Sequence, residues 1–218
     1  MRLYIYLIIC MLIAGFGCAG PEPKDYTKFY AADVHSILII PVVNRTVEVT
    51  APDYFLSTIT IPLAEQGYYV FPVHMVKRLL EDDGLSDADL VHQADTLKLC
   101  NLFGADTVLY ITIENWEAKY FVLTTEVYVN LTYVLKDCQT GDQLWSHKQA
   151  ISYTPSSSSS GNAIADLVVM AISAAATKAA PNYIELAREA NNLTFSYPGP
   201  GIPPGPYSEE YLSDVVEK

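Results

Sequence analysis

The side chains of this 218-residue chain with the widest chemical repertoire are its four cysteines, Cys10, Cys18, Cys100 and Cys138. A thiol can sit inert in a core, pair as a disulfide or carry a covalent modification, and its surroundings decide which. The four histidines, His35, His74, His92 and His147, have no spacing that would gather them on a metal. His74 and His92 fall among polar neighbours on helical stretches, where a surface role is expected rather than a base with an orienting partner. No G-x-S-x-G, H-E-x-x-H or phosphate-cradling glycine loop occurs. Ser57 lacks a neighbour that could activate it. The acidic run EDDGLSDAD (81–89) lacks the alternating ligands and final glutamate of a calcium loop, so it reads as solvated, helix-capping turn. These patterns imply no catalytic residue, no metal and no cofactor.

Cys10 and Cys18 are set in a distinctive amino terminus. Arg2 precedes fourteen uncharged residues, LYIYLIICMLIAGF, too short for a spanning helix, which needs about 20. Pro21 and Pro23 then prevent a helix from continuing. A basic residue, a short apolar stretch and small residues before a break form the pattern of a secretory signal. A retained amino-terminal anchor is the alternative. The residues GFGC (15–18) resemble a bacterial lipobox, with small Gly17 before the cysteine and Gly15 where leucine is usual. Ile9 before Cys10 is too large for the same processing. The resemblance implies cleavage after residue 17, acylation of Cys18, and a tether over 18–34. Three acyl chains explain stable anchoring where one would bind only marginally. Ala19, where an aspartate would favour the inner membrane, points to the outer membrane.

Composition narrows the partners. Half the residues are apolar and 17% are charged, which suits a sizeable core in a single domain, here placed at 35–195. The net charge of −12 and pI of 4.6 lack any basic footprint, which argues against nucleic acid.

Cys100 and Cys138 remain after processing, an even number in an oxidising compartment. Placing a tight turn near Ala118 sets position 138 opposite roughly position 98. A bridge is then within reach, and two unpaired, half-buried thiols are the alternative. The elements that would position them follow from periodicity. SILIIPVV (36–43) is a continuous apolar run, expected as a strand buried on both faces, with Pro41 at its end or a bulge. Asp53 caps a helix from Tyr54, kinked or divided at Pro62 and stopped by Gly67. GYYVFPV (67–73) reads as a strand, and HMVKRLLEDDG as a helix ended by Gly84. Ser86 caps one further helix reaching Gly104. Strands follow over 106–117 and 120–136, the second placing Val129, Leu131, Tyr133 and Leu135 on one face and Asn130 and Thr132 on the other. DCQTGDQLW turns the chain into a return strand. After SSSSSGN (156–162) come an alanine-rich helix and a second helix, then a Pro/Gly-rich tail (196–218) expected to be extended. The expected fold is α/β (α+β): a mixed sheet of about five strands in the order β-α-β-α-β-β-β-α, with helices on one face.

Sixteen tyrosines are available for recognition. Tyr68, Tyr69, Tyr120 and Tyr128 lie on or beside strands and are candidates for an exposed aromatic partner surface, with sheet packing as the alternative.

Several stretches together resemble a family of bacterial lipoproteins known from a Neisseria genome-derived vaccine antigen. They are SILIIPVVN, APDYFLSTITIPLAEQGYYVFPV, GADTVLYITIENWEAKYFVL, DCQTGDQLW and GPY (205–207). The resemblance implies a fold like the amino-terminal domain of TolB and envelope lipoproteins of the LpoB and CsgG kind. It supports lipidation at Cys18 and supplies no catalytic residues. It implies an envelope role and says little about mechanism; together with the anchor and the lack of a reactive constellation it leads to the expectation of a non-enzymatic interaction module on the outer membrane, facing the periplasm, in envelope assembly or transport and secretion. The implied partners are the membrane and an envelope protein, a CsgG-like component among the candidates. A periplasmic small-ligand carrier, with a pocket under the alanine-rich helix, and an envelope hydrolase are the competing readings.

Overall fold

A computed structural model of the chain describes residues 24–120, 125–153, 183–196 and 198–211. Cys18 and the alanine-rich stretch after residue 162 lie outside these. In chain order the described elements are α1 (Thr27–Ala31), β1 (Ser36–Ile39), β2 (Val43–Asn44), α2 (Ala51–Glu65), β3 (Tyr69–Val70) and α3 (Val73–Asp82). They continue with α4 (Ala88–Gln93), α5 (Thr96–Phe103), β4 (Thr107–Tyr120), β5 (Thr125–Asp137), β6 (Gln143–Tyr153) and α6 (Tyr183–Phe195).

The fold is a mixed α+β sheet of six described strands rather than about five, because Pro41 divides the first apolar run into β1 and β2. The order is β3-β1-β4-β5-β6, with β2 also pairing β4. β1 runs parallel to β3 and β4, while β4, β5 and β6 form an antiparallel meander.

Helices cover both faces of the parallel part, which corrects the expectation of one. Ile37, Ile39, Leu109 and Ile111 share a core with Phe55, Ile59 and Leu63 of α2 and Leu186 and Phe195 of α6. Leu38, Ile40, Val108 and Tyr110 point the other way, against Val76 and Leu80 of α3, Val91 of α4 and Leu99 of α5. The period-2 pleat therefore sends alternate residues of one apolar run into two separate cores. On β5 only one face is fully buried: Val129, Leu131, Tyr133 and Leu135 alternate with half-buried Asn130, Thr132, Val134 and Lys136.

Local chemistry shifted several boundaries. α2 starts at Ala51 with Pro52 in its first turn, where a missing donor costs nothing, and it runs unbroken through Pro62. Asp53 is thus inside the first turn, not the cap, and pairs with Lys77 at 2.8 Å. The helix expected after Ser86 is two. Asp87 accepts from Asp89 N and Leu90 N, and Asp95 accepts from Leu97 N and Lys98 N, so each aspartate starts a new helix.

Both flanks drawn outside the domain contribute to it. Phe29 of α1 and Val34 are buried, although 18–34 was expected as tether. Residues 201–205 of the tail, which was drawn outside the domain as an extended segment, are buried as well.

Candidate interaction surface

β3 is an edge strand of two residues, and beside it α3 presents more apolar surface than its core contact uses. Val73, Val76 and Leu80 face inward at helical spacing. Met75 and Leu79, an i,i+4 pair on the neighbouring stripe, stay 71% and 40% exposed. With Tyr69, Phe71, Pro72 and Phe103 they line an open groove of about 660 Å³, rimmed by His74, Arg78 and Asp82. The aromatic floor is ordered edge to face: Tyr69–Phe71 centroids lie 5.1 Å apart and Phe71–Phe103 6.3 Å. Arg78 Nε is turned to Asp82 Oδ1 at 3.1 Å, one turn along the same helix. The groove therefore offers apolar contact with a polar rim, the anatomy of a protein-binding surface.

At the groove rim His74 stands beside the Arg78–Asp82 pair, and the other three histidines are engaged elsewhere. His35 Nδ1 donates to Asp33 O at 2.7 Å, and His92 Nε2 donates to Pro41 O at 2.9 Å. His147 Nε2 donates to Gln149 Oε1 at 3.0 Å while its ring stacks on Trp145. Burial holds the His92 and His147 imidazoles below their ordinary range, partly offset at His92 by the Pro41 bond and at His147 by the Gln149 bond. The imidazoles of His35, His92 and His147 are thus each engaged with a backbone or amide oxygen. A second cleft of about 310 Å³ lies between α1 and the β5–β6 turn and is lined by Lys28, Asp33, Asp137, Thr140 and Asp142. Its carboxylates have structural duties: Asp137 Oδ2 accepts from Thr140 N and Oγ1, and Asp142 pairs with Lys28 at 3.0 Å. Among the described residues no three His, Cys, Asp or Glu side chains gather as metal ligands would.

The four candidate tyrosines are not one surface. Tyr69 is half exposed and lines the groove. Tyr68, next to it on the chain, faces the core at 4% exposure, and its hydroxyl donates to Pro203 O at 2.6 Å. Tyr128 is on β5, with β1 and β4 between it and β3. Tyr120 ends β4, and its side chain lies outside the described residues. The groove residues that sequence reasoning missed, Phe71, Met75, Leu79 and Phe103, did leave one signal. MVKRLL has apolar residues at 75, 76, 79 and 80, a stripe wider than one buried face requires.

Cys100 and Cys138 are joined, with Cα atoms 5.7 Å apart. The route differs from the one expected. Ala118 pairs with Val127 inside the hairpin instead of forming its turn, and Cys138 N bonds Asp106 O rather than facing position 98. Gly104, at φ 71, folds α5 back over the start of β4 and delivers Cys100 to the same place.

With this architecture in view, the chain can be placed. Residues 24–207 match the family described as "Putative lipoprotein GNA1162-like", and the chain belongs to that family of envelope lipoproteins. Lipoprotein NMB1124/NMB1162 of Neisseria meningitidis serogroup B is 34% identical over 184 residues, 84% of this chain and 85% of the relative. The crystal structure of lipoprotein GNA1162 from Neisseria meningitidis is similar at a TM-score of 0.55 and 31% identity, covering 66% of this chain and 99% of that one. The C-terminal domain of LpoB from Salmonella enterica is a looser likeness, with a TM-score of 0.37 and 24% identity over 58% of this chain and 91% of that one.

Proposed function

We propose that this protein is anchored through an acylated Cys18 in the outer membrane, faces the periplasm, and acts as a non-enzymatic interaction module in envelope assembly or transport. The observation that carries the reading is the edge groove of Tyr69, Phe71, Met75, Leu79 and Phe103. Its walls are apolar, its one described arginine is paired within α3, and no base–nucleophile pair opens into it. Membership of a lipoprotein family supports the anchor. An exposed apolar face on a tethered domain gains contact area with a protein partner while the lipid holds it at the membrane.

Photo-crosslinkers placed at Met75 and Leu79, in cells, test the surface. The expected result is a discrete adduct with an envelope protein, absent when the crosslinker replaces exposed Lys148 on β6. Equal labelling from all three positions would sink the assignment, and an apolar small molecule retained in native mass spectra would favour the carrier reading. The intact mass of membrane-extracted protein tests the anchor. A species beginning at Cys18 and carrying three acyl chains and a glyceryl group is expected; a mass retaining Arg2 excludes it.

A further inference from the structure

We infer that the Pro/Gly-rich strap 198–207 is a clasp that holds the amino-terminal segment on the domain and thereby sets how far the domain stands from its membrane anchor. The second clause rests on the proposed lipid at Cys18; the first stands on geometry alone.

Prolines offer carbonyl oxygens without N–H groups and favour an extended backbone, so such a strap presents a row of acceptors. Donors for that row come from two places. From the amino-terminal segment, Lys24 Nζ reaches Pro200 O at 2.6 Å and Tyr26 Oη reaches Gly201 O at 2.5 Å. From the domain, Trp145 Nε1 donates to the same Pro200 O at 2.9 Å, and Tyr68 Oη donates to Pro203 O at 2.6 Å. Pro200 O is thus shared by Lys24 of the amino-terminal segment and Trp145 of the domain. Burial lowers the Lys24 ammonium from its ordinary range, and its charge lies 4.9 Å from the centre of the Trp145 ring. Further along, Gly205 N donates to Gln66 O at 2.7 Å and Tyr207 N to Gly67 O at 3.1 Å. The approach is close enough that a Cβ on Gly205 would collide with the Gly67 carbonyl and the Tyr68 ring.

The amino-terminal segment depends on this clasp. α1 has five residues, too few to persist alone; Phe29 packs against Tyr68, Lys28 pairs with Asp142 at 3.0 Å, and the strap holds Lys24 and Tyr26 just before it. A hinge is also present. Asp33, between α1 and β1, has φ 45, the only positive φ at a non-glycine among the described residues. Tyr211 Oη approaches its carboxylate at 3.4 Å, so the far end of the strap region sits on the hinge. With the clasp shut, residues 18–23 separate anchor from domain, at most about 20 Å of extended chain; with 24–32 released the span rises to about 50 Å. Because the strap and the segment stabilise each other, loosening either must loosen the other by the same factor.

Amide hydrogen exchange on the full chain tests this. Gly205→Val should make the α1 amides exchange at least about tenfold faster while β4 and β5 keep their protection. Tyr26→Phe, which removes one hydroxyl and nothing else, should in return speed exchange at Gly201 and Gly205 by about threefold. Faster strap exchange with α1 unchanged would overturn the clasp. Should Gly205→Val also expose β4 and β5, the Tyr26→Phe result decides, and unchanged strap amides there overturn it. An intact mass without acyl chains at Cys18 removes the length-setting clause, whereas faster α1 exchange would still uphold the clasp.

Discussion

The two ends of the sheet are built on different rules. At the parallel end, β1 and the first half of β4 are buried on both faces, so Ile37, Leu38, Ile39 and Ile40 are all 1% exposed or less. At the antiparallel end, β5 buries every second residue and leaves Asn130 and Thr132 half exposed. A strand covered on both sides can only support its neighbours, whereas the groove lies where that cover stops, at the two-residue edge strand β3.

The disulfide ties α5 to the end of β5, beside the start of β4, and removing it should give the largest effect. Closing a loop with a sequence separation of 38 stabilises by about 4 kcal/mol on the chain-entropy model. The double substitution Cys100→Ser, Cys138→Ser should lower the urea midpoint accordingly, and a loss below about 1 kcal/mol would show that packing alone holds α5. An alanine scan sharpens the comparison next. Ile37, Leu38 and Ile39 should each cost about 3 kcal/mol, without alternation. Across β5, Leu131 should cost as much, but Thr132→Ala under about 0.5 kcal/mol. Equal costs along β5 would erase the distinction between the ends.

A smaller effect is expected from the polar chain inside the hairpin-side core. Tyr133 Oη donates to Asn191 Oδ1 at 2.7 Å, and Asn191 Nδ2 donates to Thr58 Oγ1 at 2.9 Å, all buried. Burial pushes the Tyr133 phenol well above its ordinary range, so it stays a donor at any physiological pH. Tyr133→Phe leaves Asn191 Oδ1 without that donor and should cost about 2 kcal/mol by thermal unfolding. Adding Asn191→Leu should recover part of the loss, because no buried amide then lacks a partner.

The same contrast explains what could be read from the residues. The β5 pattern, the end of the first run at Pro41 and the glycine stop at 104 were legible because pleat, missing donor and left-handed backbone are local constraints. SILIIPVV also carried the two-faced burial, and the expectation of helices on one face ignored it. The hairpin register was not legible, since residues 116–125 include no Gly, Pro, Asn or Asp to mark a turn, and Ala118 is paired with Val127. The clasp was hidden for another reason. A Pro/Gly-rich tail has no periodicity, and its acceptors acquire meaning only beside Lys24, Tyr26 and Trp145, which are distant in sequence. Two of the four candidate tyrosines, Tyr68 just before β3 and Tyr69 at its start, separate between core and groove.

The pH dependence of stability should be the smallest effect and comes from the seam between the two ends. His92 lies against Tyr110 at 5.3 Å and donates to Pro41 O. Its pKa is lowered chiefly by burial; the Pro41 bond and Asp89 pull upward, Arg45 and Lys136 downward. An unfolded imidazole titrates near 6.5, so just below that pH the unfolded chain binds a proton that the native chain refuses. Stability is therefore complete above about pH 6.5, falls as pH drops, and stops falling below the native pKa. His147 is shifted the same way and adds to the slope. Each histidine can contribute at most about 1.4 kcal/mol per pH unit. Urea midpoints taken from pH 7.5 to 5 should decline, and His92→Gln should flatten the decline while leaving the value at pH 7.5 nearly unchanged. An undiminished slope in that variant would assign the proton uptake to His147, at the hairpin end, instead of to the histidine that packs beneath the parallel strands.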